Sequence, residues 1–346
     1  MKNYFRRLAQ GYENGKLSSM LYPVLDFSSC VYGQAVASLR NLHEKKVLRR
    51  TKLPFPVISI GNLTWGGTGK TPFVEYLVRK ISESQRAALI LTRGYGNDEV
   101  EQFKTHLPNV LLGVGKNRTQ VAQEVAKKNR VDVAVLDDGL QHWALERDLE
   151  IITVNALNPF GNGKLLPRGI LREPVHILKR AAIVVISHAN LISAKELESL
   201  KSLIKEKAPD ASILETYLEP LFFYRARKRA RVPVTRLQNQ RVATFSGVGT
   251  PRSFQLVLSR LQIRPIRNFE FPDHHVFSEQ ELREVKDVSD AAAAQEIVTT
   301  EKDFYRCPDL ITEILNPLVL AARLRISSGE EILRDRLSRL LGVTSA

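Results

Sequence analysis

Two cysteines, two methionines and two tryptophans are all that the 346 residues hold of those types. Cys30 and Cys307 cannot build a disulfide scaffold or a four-thiolate zinc site, which points to a reducing compartment. Long apolar runs are missing too. No stretch reaches the ~20 apolar residues of a spanning helix, and the best candidate, 17–39, carries Asp26, Gln34 and several serines. No clean apolar h-region precedes a cleavage-like site. A multi-pass membrane protein is excluded and a secreted one disfavoured. Zinc-finger spacings and aromatic-rich single-strand platforms are also absent, so no nucleic-acid partner is expected. There is no internal repeat and no long low-complexity tract.

What the chain has is length for two domains, a hydrophobic fraction of 43% that can bury a core, and a net charge of +14. The charge is uneven: residues 1–52 hold ten Lys or Arg against three acids. In that segment Leu17, Met20, Leu21, Val24, Leu25, Val31, Ala35 and Leu39 recur at mostly helical steps, interrupted by Ser28. The pattern predicts a helix with one apolar face, bent near Pro23 and followed by Arg40, Lys45, Lys46, Arg49, Arg50 and Lys52. Such a segment suits an anionic membrane surface or, alternatively, packing on its own domain with a solvated basic end. The first ten residues, basic and acid-free, also fit a transit peptide. A second cluster, Arg225 to Arg231, suits binding of phosphates or nucleic acid or, equally, a solvated interdomain connection.

Strand-like runs at 57–60, 87–92, 110–114, 131–136, 151–154 and 183–186 are interleaved with helical patterns at 71–82 and 119–128. Strands alternating with helices predict an α/β fold with a parallel sheet covered on both faces. The pattern restarts after Arg231, with strands at 242–245, 297–300 and 318–321 and a helix at 253–261. The expected organisation is an N-terminal amphipathic segment (1–52) belonging to the first domain, a phosphate-loop NTPase-type domain (53–230) and a smaller α/β domain (235–346).

The most informative segment is Gly61-Asn62-Leu63-Thr64-Trp65-Gly66-Gly67-Thr68-Gly69-Lys70-Thr71-Pro72, between a predicted strand and a predicted helix. Glycines let backbone amides turn toward phosphate oxygens, and the helix N-terminus adds partial positive charge. Lys70 can reach the β- and γ-phosphates and the Thr71 hydroxyl can ligate magnesium. The general pattern asks for glycine where this chain has Thr64. Asp137 and Asp138 end a strand about seventy residues on, where a carboxylate holds magnesium opposite the loop threonine. Ser187-His188-Ala189-Asn190 does not fit a guanine-reading motif, which disfavours a GTPase.

Taken together, the motifs resemble the tetraacyldisaccharide 4′-kinase (lipid A 4′-kinase) family. They are Ile60 through Thr64 running into Gly66 through Pro72, Thr92-Arg93-Gly94-Tyr95-Gly96, Gly113-Val114-Gly115 with Asn117-Arg118, and Asp137 through His142. Gly161 through Pro167, Gly169 through Pro174, Phe271 through His275 and Thr299 through Asp303 complete the set, in the family's order over about 54–305. Thr64 in place of glycine also matches this family. The resemblance implies a lipid kinase using ATP and Mg2+. It would transfer the γ-phosphate to the 4′-hydroxyl of tetraacyldisaccharide 1-phosphate, a lipid A disaccharide precursor, to give lipid IVA. It further implies a peripheral enzyme on the anionic cytoplasmic face of the bacterial inner membrane, docked by its N-terminal helix, with no obligate protein partner. The alternative location is a plant organelle, the mitochondrion.

The resemblance also assigns roles. Asp98 occupies the place of the family's catalytic aspartate and pairs with a histidine that corresponds to His274, while Lys70 acts on the transferred phosphate. Between the Arg-Gly-Tyr turn and Asp98 only Gly96 and Asn97 intervene, fewer than in many members. The nucleotide set is Thr64, Gly66, Gly67, Thr68, Gly69, Lys70, Thr71 and Arg118, the last suited to phosphate oxygens. The magnesium set is Thr71, Asp137 and Asp138. Glu99, Gln141, His142, Arg172 and Glu173 are expected to touch substrate or to support the residues that do. With His274 assigned to the second domain, domain closure is expected to assemble the acid/base pair.

Overall fold

The computed structural model describes residues 16–94 and 97–342. The basic stretch at 1–10, with the transit-peptide reading attached to it, lies outside these residues. The chain is an α/β protein that divides into two compact units. The first takes the residues up to Gly94, Leu107–Tyr217 and those from Ile326 on. The second takes the helix Asn97–His106 and Leu218–Arg325.

The sheet of the first unit is parallel. It contains β1 (Val57–Asn62), β2 (Ala88–Thr92), β3 (Leu111–Val114), β4 (Val133–Asp137), β5 (Leu149–Asn155), β6 (Ile183–Ser187) and the first part of β7 (Ser212–Arg225). Their order is β3-β2-β4-β1-β5-β6-β7. Every residue of β1, β2, β4 and β6 is buried, as apolar, β-branched strands covered on both faces should be. One face packs Val57, Leu89, Leu91 and Leu136; the other packs Ile152, Val184, Ile186, Leu200 and Ile204. Each such side chain contributes about 1.5–3 kcal/mol by its burial. Ile60 pairs in register with Asp137, so β1 and β4 deliver the phosphate loop and the two aspartates to the same edge.

The N-terminal helix is Lys16–Glu44, with Pro23 inside it. Its expected single apolar face divides in two. Met20, Val24, Phe27 and Val31 form a helical row turned outward, 77%, 62%, 71% and 54% exposed, while Ser29 and Val36 are buried. Helix packing on its own domain and an outward apolar surface therefore coexist, on different sides of one helix. Phe27 and Val36 were not among the positions that the period picked out.

In the second unit β8 (Arg231–Val232) pairs antiparallel with β7. β9 (Val242–Ser246), β10 (Pro265–Glu270), β11 (Glu296–Thr300) and β12 (Leu318–Ser328) run parallel in the order β10-β9-β11-β12. Phe245, Phe277, Phe304 and Val319 anchor one of its cores. The boundary expected at 230–235 lies inside this unit. The chain enters the unit within β7, at Leu218, and the final helix Glu330–Leu341 belongs to the first unit. The cause is β7 itself, a single strand of 14 residues whose two parts serve different units. Nor is Arg225 to Arg231 an interdomain connection: it lies inside the second unit, and although 227–231 are exposed, Arg225, Arg229 and Arg231 are engaged. Arg225 grips Glu296 through two bonds of 2.8 and 2.7 Å. Arg229 lies over the rings of Tyr224 and Phe304 at 4.9 and 4.7 Å, and Arg231 over Phe222 at 4.5 Å.

Candidate active site

The phosphate loop is held from below by polar side chains of its neighbours. Thr68 Oγ1 meets Thr153 Oγ1 at 2.9 Å, and Asn155 Nδ2 donates to Gly67 O at 2.9 Å. Gly66 and Gly69 take φ of 119° and 77°, which exclude a side chain without strain. Thr64 does not. It sits 4% exposed in an antiparallel bridge to Leu171, flanked by Arg172 N donating to Leu63 O at 2.6 Å and Trp65 N to Ile170 O at 2.7 Å. A β-branched residue suits that extended geometry, which explains why glycine is not needed there. The helix Lys70–Glu83 starts at Gly69 and has no acid in its first turn, so its positive end is left for an anion. Lys70 Nζ donates to Asn62 Oδ1 at 2.9 Å and lies 3.8 Å from Asp138 Oδ1.

Asp138 follows the end of β4 with φ of 51°, an uncommon conformation outside glycine. Burial pushes its carboxyl up, but Lys70, Arg172 and Arg118 outweigh that and bring its pKa down to about 2. Arg172 Nη1 donates to Asp138 Oδ1 at 2.6 Å, and Gln141 braces Arg172 by accepting from its Nε at 3.2 Å and donating to its backbone oxygen at 3.3 Å. Gln141 is thus a support for Arg172. Arg118, on the first turn of the helix Arg118–Ala126, is 7% exposed; its buried Nε has no hydrogen-bond partner among the described residues. Burial lowers the Arg118 pKa, and repulsion from Arg93 and Arg172 adds to that beside Asp137 and Asp138. Three arginines and a lysine around two carboxylates leave a surplus of positive charge suited to phosphates. His142 is pulled down to about 4 by burial and by the charges of Arg118, Arg147 and His43, so it is neutral at pH 7.

Glu173 departs from expectation. It is fully buried and turned to Arg40 of the N-terminal helix, 2.9 Å away, its other carboxylate oxygen having no hydrogen-bond partner among the described residues. Burial pushes its carboxyl up, and Arg40 opposes that.

Thr71, Asp137 and Asp138 offer only oxygen donors, the chemistry that magnesium prefers. The register of β1 and β4 carries the aspartates to the loop's edge, so these residues fit a magnesium ion.

A second constellation lies wholly within the second unit. Asp98, in the first turn of Asn97–His106, is 1% exposed. His274 Nδ1 stands 3.3 Å from its Oδ2, and Arg306 Nε donates to the same oxygen at 3.0 Å. Glu99 N donates to Asp98 Oδ1 at 3.0 Å. Burial raises the Asp98 pKa, but the bond from His274 and the charges of Lys302 and Arg306 prevail and hold it well below the usual carboxylate range. Arg306 also donates to Asp303 Oδ1 at 2.7 Å, and Lys302 Nζ lies 3.2 Å from Asp273 Oδ1 and 3.5 Å from His274 Nε2. His274, with φ of 57° and a side chain 40% exposed, is the accessible end of the pair. Asp98 and His274 thus share one unit, so the expectation that domain closure assembles them is corrected. His275 instead bonds Glu281 at 2.9 Å and stacks on Phe271.

Sequence reasoning missed Asn62, Thr153, Asn155, Lys302, Asp303 and Arg306. Asn62, Lys302 and Asp303 stood inside quoted motifs without a role. Arg306 had one available signal, a basic residue one helical step after Asp303.

The model of the family described as tetraacyldisaccharide-1-P 4'-kinase matches residues 18–104 and 97–342. A probable tetraacyldisaccharide 4'-kinase, mitochondrial, of Arabidopsis thaliana is 34% identical over 90% of this chain and 88% of its own length. A tetraacyldisaccharide 4'-kinase of Anaeromyxobacter sp. (strain K) is 36% identical over 79% of this chain and 78% of its own. Among solved structures, LpxK from Aquifex aeolicus in complex with ATP superimposes with a TM-score of 0.68 at 26% identity, covering 93% of this chain and 99% of that one. The chain is therefore a member of the tetraacyldisaccharide-1-P 4'-kinase family.

Proposed function

We propose that this chain transfers the γ-phosphate of ATP to the 4′-hydroxyl of a tetraacyldisaccharide 1-phosphate, yielding lipid IVA. The observation that carries this reading is the Asp98–His274 pair, with Asp98 held ionised in a family member that also keeps Lys70 and Thr71. A module that only bound nucleotide would have no use for a clamped acid/base pair. The neutral acceptor hydroxyl must lose its proton during transfer. His274 presents the accessible imidazole and Asp98, through Nδ1, orients it and stabilises its charged form. Lys70, Arg118 and Arg172 hold the phosphates. Thr71, Asp137 and Asp138 would hold magnesium, which when bound neutralises phosphate charge.

The substrate is a lipid, and the outward row Met20, Val24, Phe27 and Val31 supports docking of the N-terminal helix in an anionic surface, aided by the exposed Lys45, Lys46, Arg49 and Lys52. Among the described residues no helix is long and apolar enough to cross a membrane. The corresponding place is the cytoplasmic face of the bacterial inner membrane.

The test is transfer of label from γ-labelled ATP to the tetraacyl disaccharide 1-phosphate in detergent micelles with magnesium. Label in the lipid, lost in Lys70→Ala, supports the reading. No label in the lipid from a folded, ATP-binding wild type overturns it.

A further inference from the structure

The inward face of the N-terminal helix is bonded to the segment 161–174, which also builds the phosphate site. Ser29 Oγ donates to Leu165 O at 2.9 Å and accepts from Arg168 N at 3.0 Å. Gly33 allows this approach, since a Cβ there would stand 2.7 Å from Leu165 Cδ1. Tyr32 OH donates to Arg172 O at 3.1 Å, and Arg40 Nη1 donates to the buried Glu173 at 2.9 Å. Arg172 is thus fixed from three sides. Its backbone oxygen is held by Tyr32, its backbone nitrogen by Leu63 of the phosphate loop's approach, and its guanidinium by Gln141 and Asp138. The Glu173 carboxylate, one residue on, has Oε1 buried without a hydrogen-bond partner among the described residues, and Arg40 is the cation bonded to it, with Arg180 adding a weaker attraction.

We propose that Tyr32 and Arg40 are positioning residues for phosphoryl transfer: the helix sets the place of Arg172 on Asp138, in addition to any contact it makes with lipid. This rests on the kinase reading above. The helix side that faces outward and the side that holds Arg172 are rigidly linked, because they are faces of one helix. Seating that helix on a lipid surface and presenting Arg172 to phosphate then become one structural event.

The experiment uses the full chain, with transfer kinetics in micelles, co-sedimentation with anionic vesicles (phosphatidylglycerol in phosphatidylcholine) and a thermal midpoint as separate readouts. Tyr32→Phe should lower kcat about threefold to tenfold, the factor one hydrogen bond is worth, with vesicle binding unchanged. Arg40→Gln should lower kcat by about tenfold or more, and Arg40→Lys should recover part of it. In an Arg172→Ala background, Tyr32→Phe should have no further effect, because the hydroxyl acts through Arg172. Equal kcat in Tyr32→Phe and wild type, or a Tyr32→Phe loss that persists in full without the Arg172 side chain, overturns the proposal. An inactive wild type would instead overturn the kinase reading, so the two failures are distinct.

Discussion

The phosphate loop and the Asp98 cluster, the two regions that the proposed reaction calls on, both hold charge in place, by opposite means. The loop uses backbone: two glycines at positive φ, a helix start without acids, and a lysine parked on a neutral amide, Asn62. The cluster uses side-chain charge: the buried Asp98, Asp303 and Arg306, with Asp273 and Lys302 half-buried beside them and His274 at the accessible end. The loop needs one continuous stretch of chain, from Asn62 to Thr71. The cluster gathers residues from three separated segments, 98, 273–274 and 302–306. A backbone device tolerates side-chain changes that leave φ alone. A charge cluster does not, because each partner removed leaves another buried without compensation.

The largest effect should come from Asp98→Asn, which keeps shape and removes charge. Transfer should fall about 100- to 10,000-fold in kcat with the Kd for ATP unchanged, as checked by titration. Lys70→Ala should follow, losing about 100- to 1,000-fold in kcat and weakening ATP as well. If Asp98→Asn weakened ATP as much as Lys70→Ala does, the division of labour between the two regions would fail.

Arg306→Gln sharpens the contrast. It removes a cation that lowers the Asp98 pKa, so that pKa must rise. The acid limb of the kcat profile should then move to higher pH, because Asp98 takes up a proton earlier as pH falls. A change that merely loosened the fold would depress activity at all pH values and leave the limb in place. Stability should drop by about 3–5 kcal/mol, read by denaturant unfolding, since Asp98 and Asp303 lose a buried partner.

The smallest effects separate the loop's glycines from its threonine. Gly69→Ala should cost about 1–2 kcal/mol through its positive φ, with an added Cβ 3.0 Å from Ser187 Cβ. Thr64→Gly, which restores the general consensus, should destabilise by about 0.5–1 kcal/mol and bring no gain in transfer. A gain would mean that the Leu171 bridge is not why threonine stands there.

These differences also explain what could be read before the structure. Strands β1 to β6 and the phosphate loop were legible because their signals are local: β-branched buried runs, glycines, then Lys70 and Thr71. Asp98 and His274 entered through resemblance alone, since 176 positions separate them and no period links them. Arg306 went unread for the same reason. β7 was missed because Pro220 and an uneven pattern interrupt its 14 residues, and the domain boundary was misplaced with it. Glu173 was expected at the site because its motif neighbour Arg172 is there. Only three dimensions show that adjacent side chains face Asp138 and Arg40 respectively.

The most direct test of the account is a paired measurement on Asp98→Asn: ATP affinity by calorimetry and label transfer to the tetraacyl disaccharide 1-phosphate. The account predicts ATP affinity within about twofold of wild type, less than half a kcal/mol, with lipid labelling reduced at least about 100-fold. Wild-type labelling by this variant, or loss of ATP binding together with labelling, would contradict it.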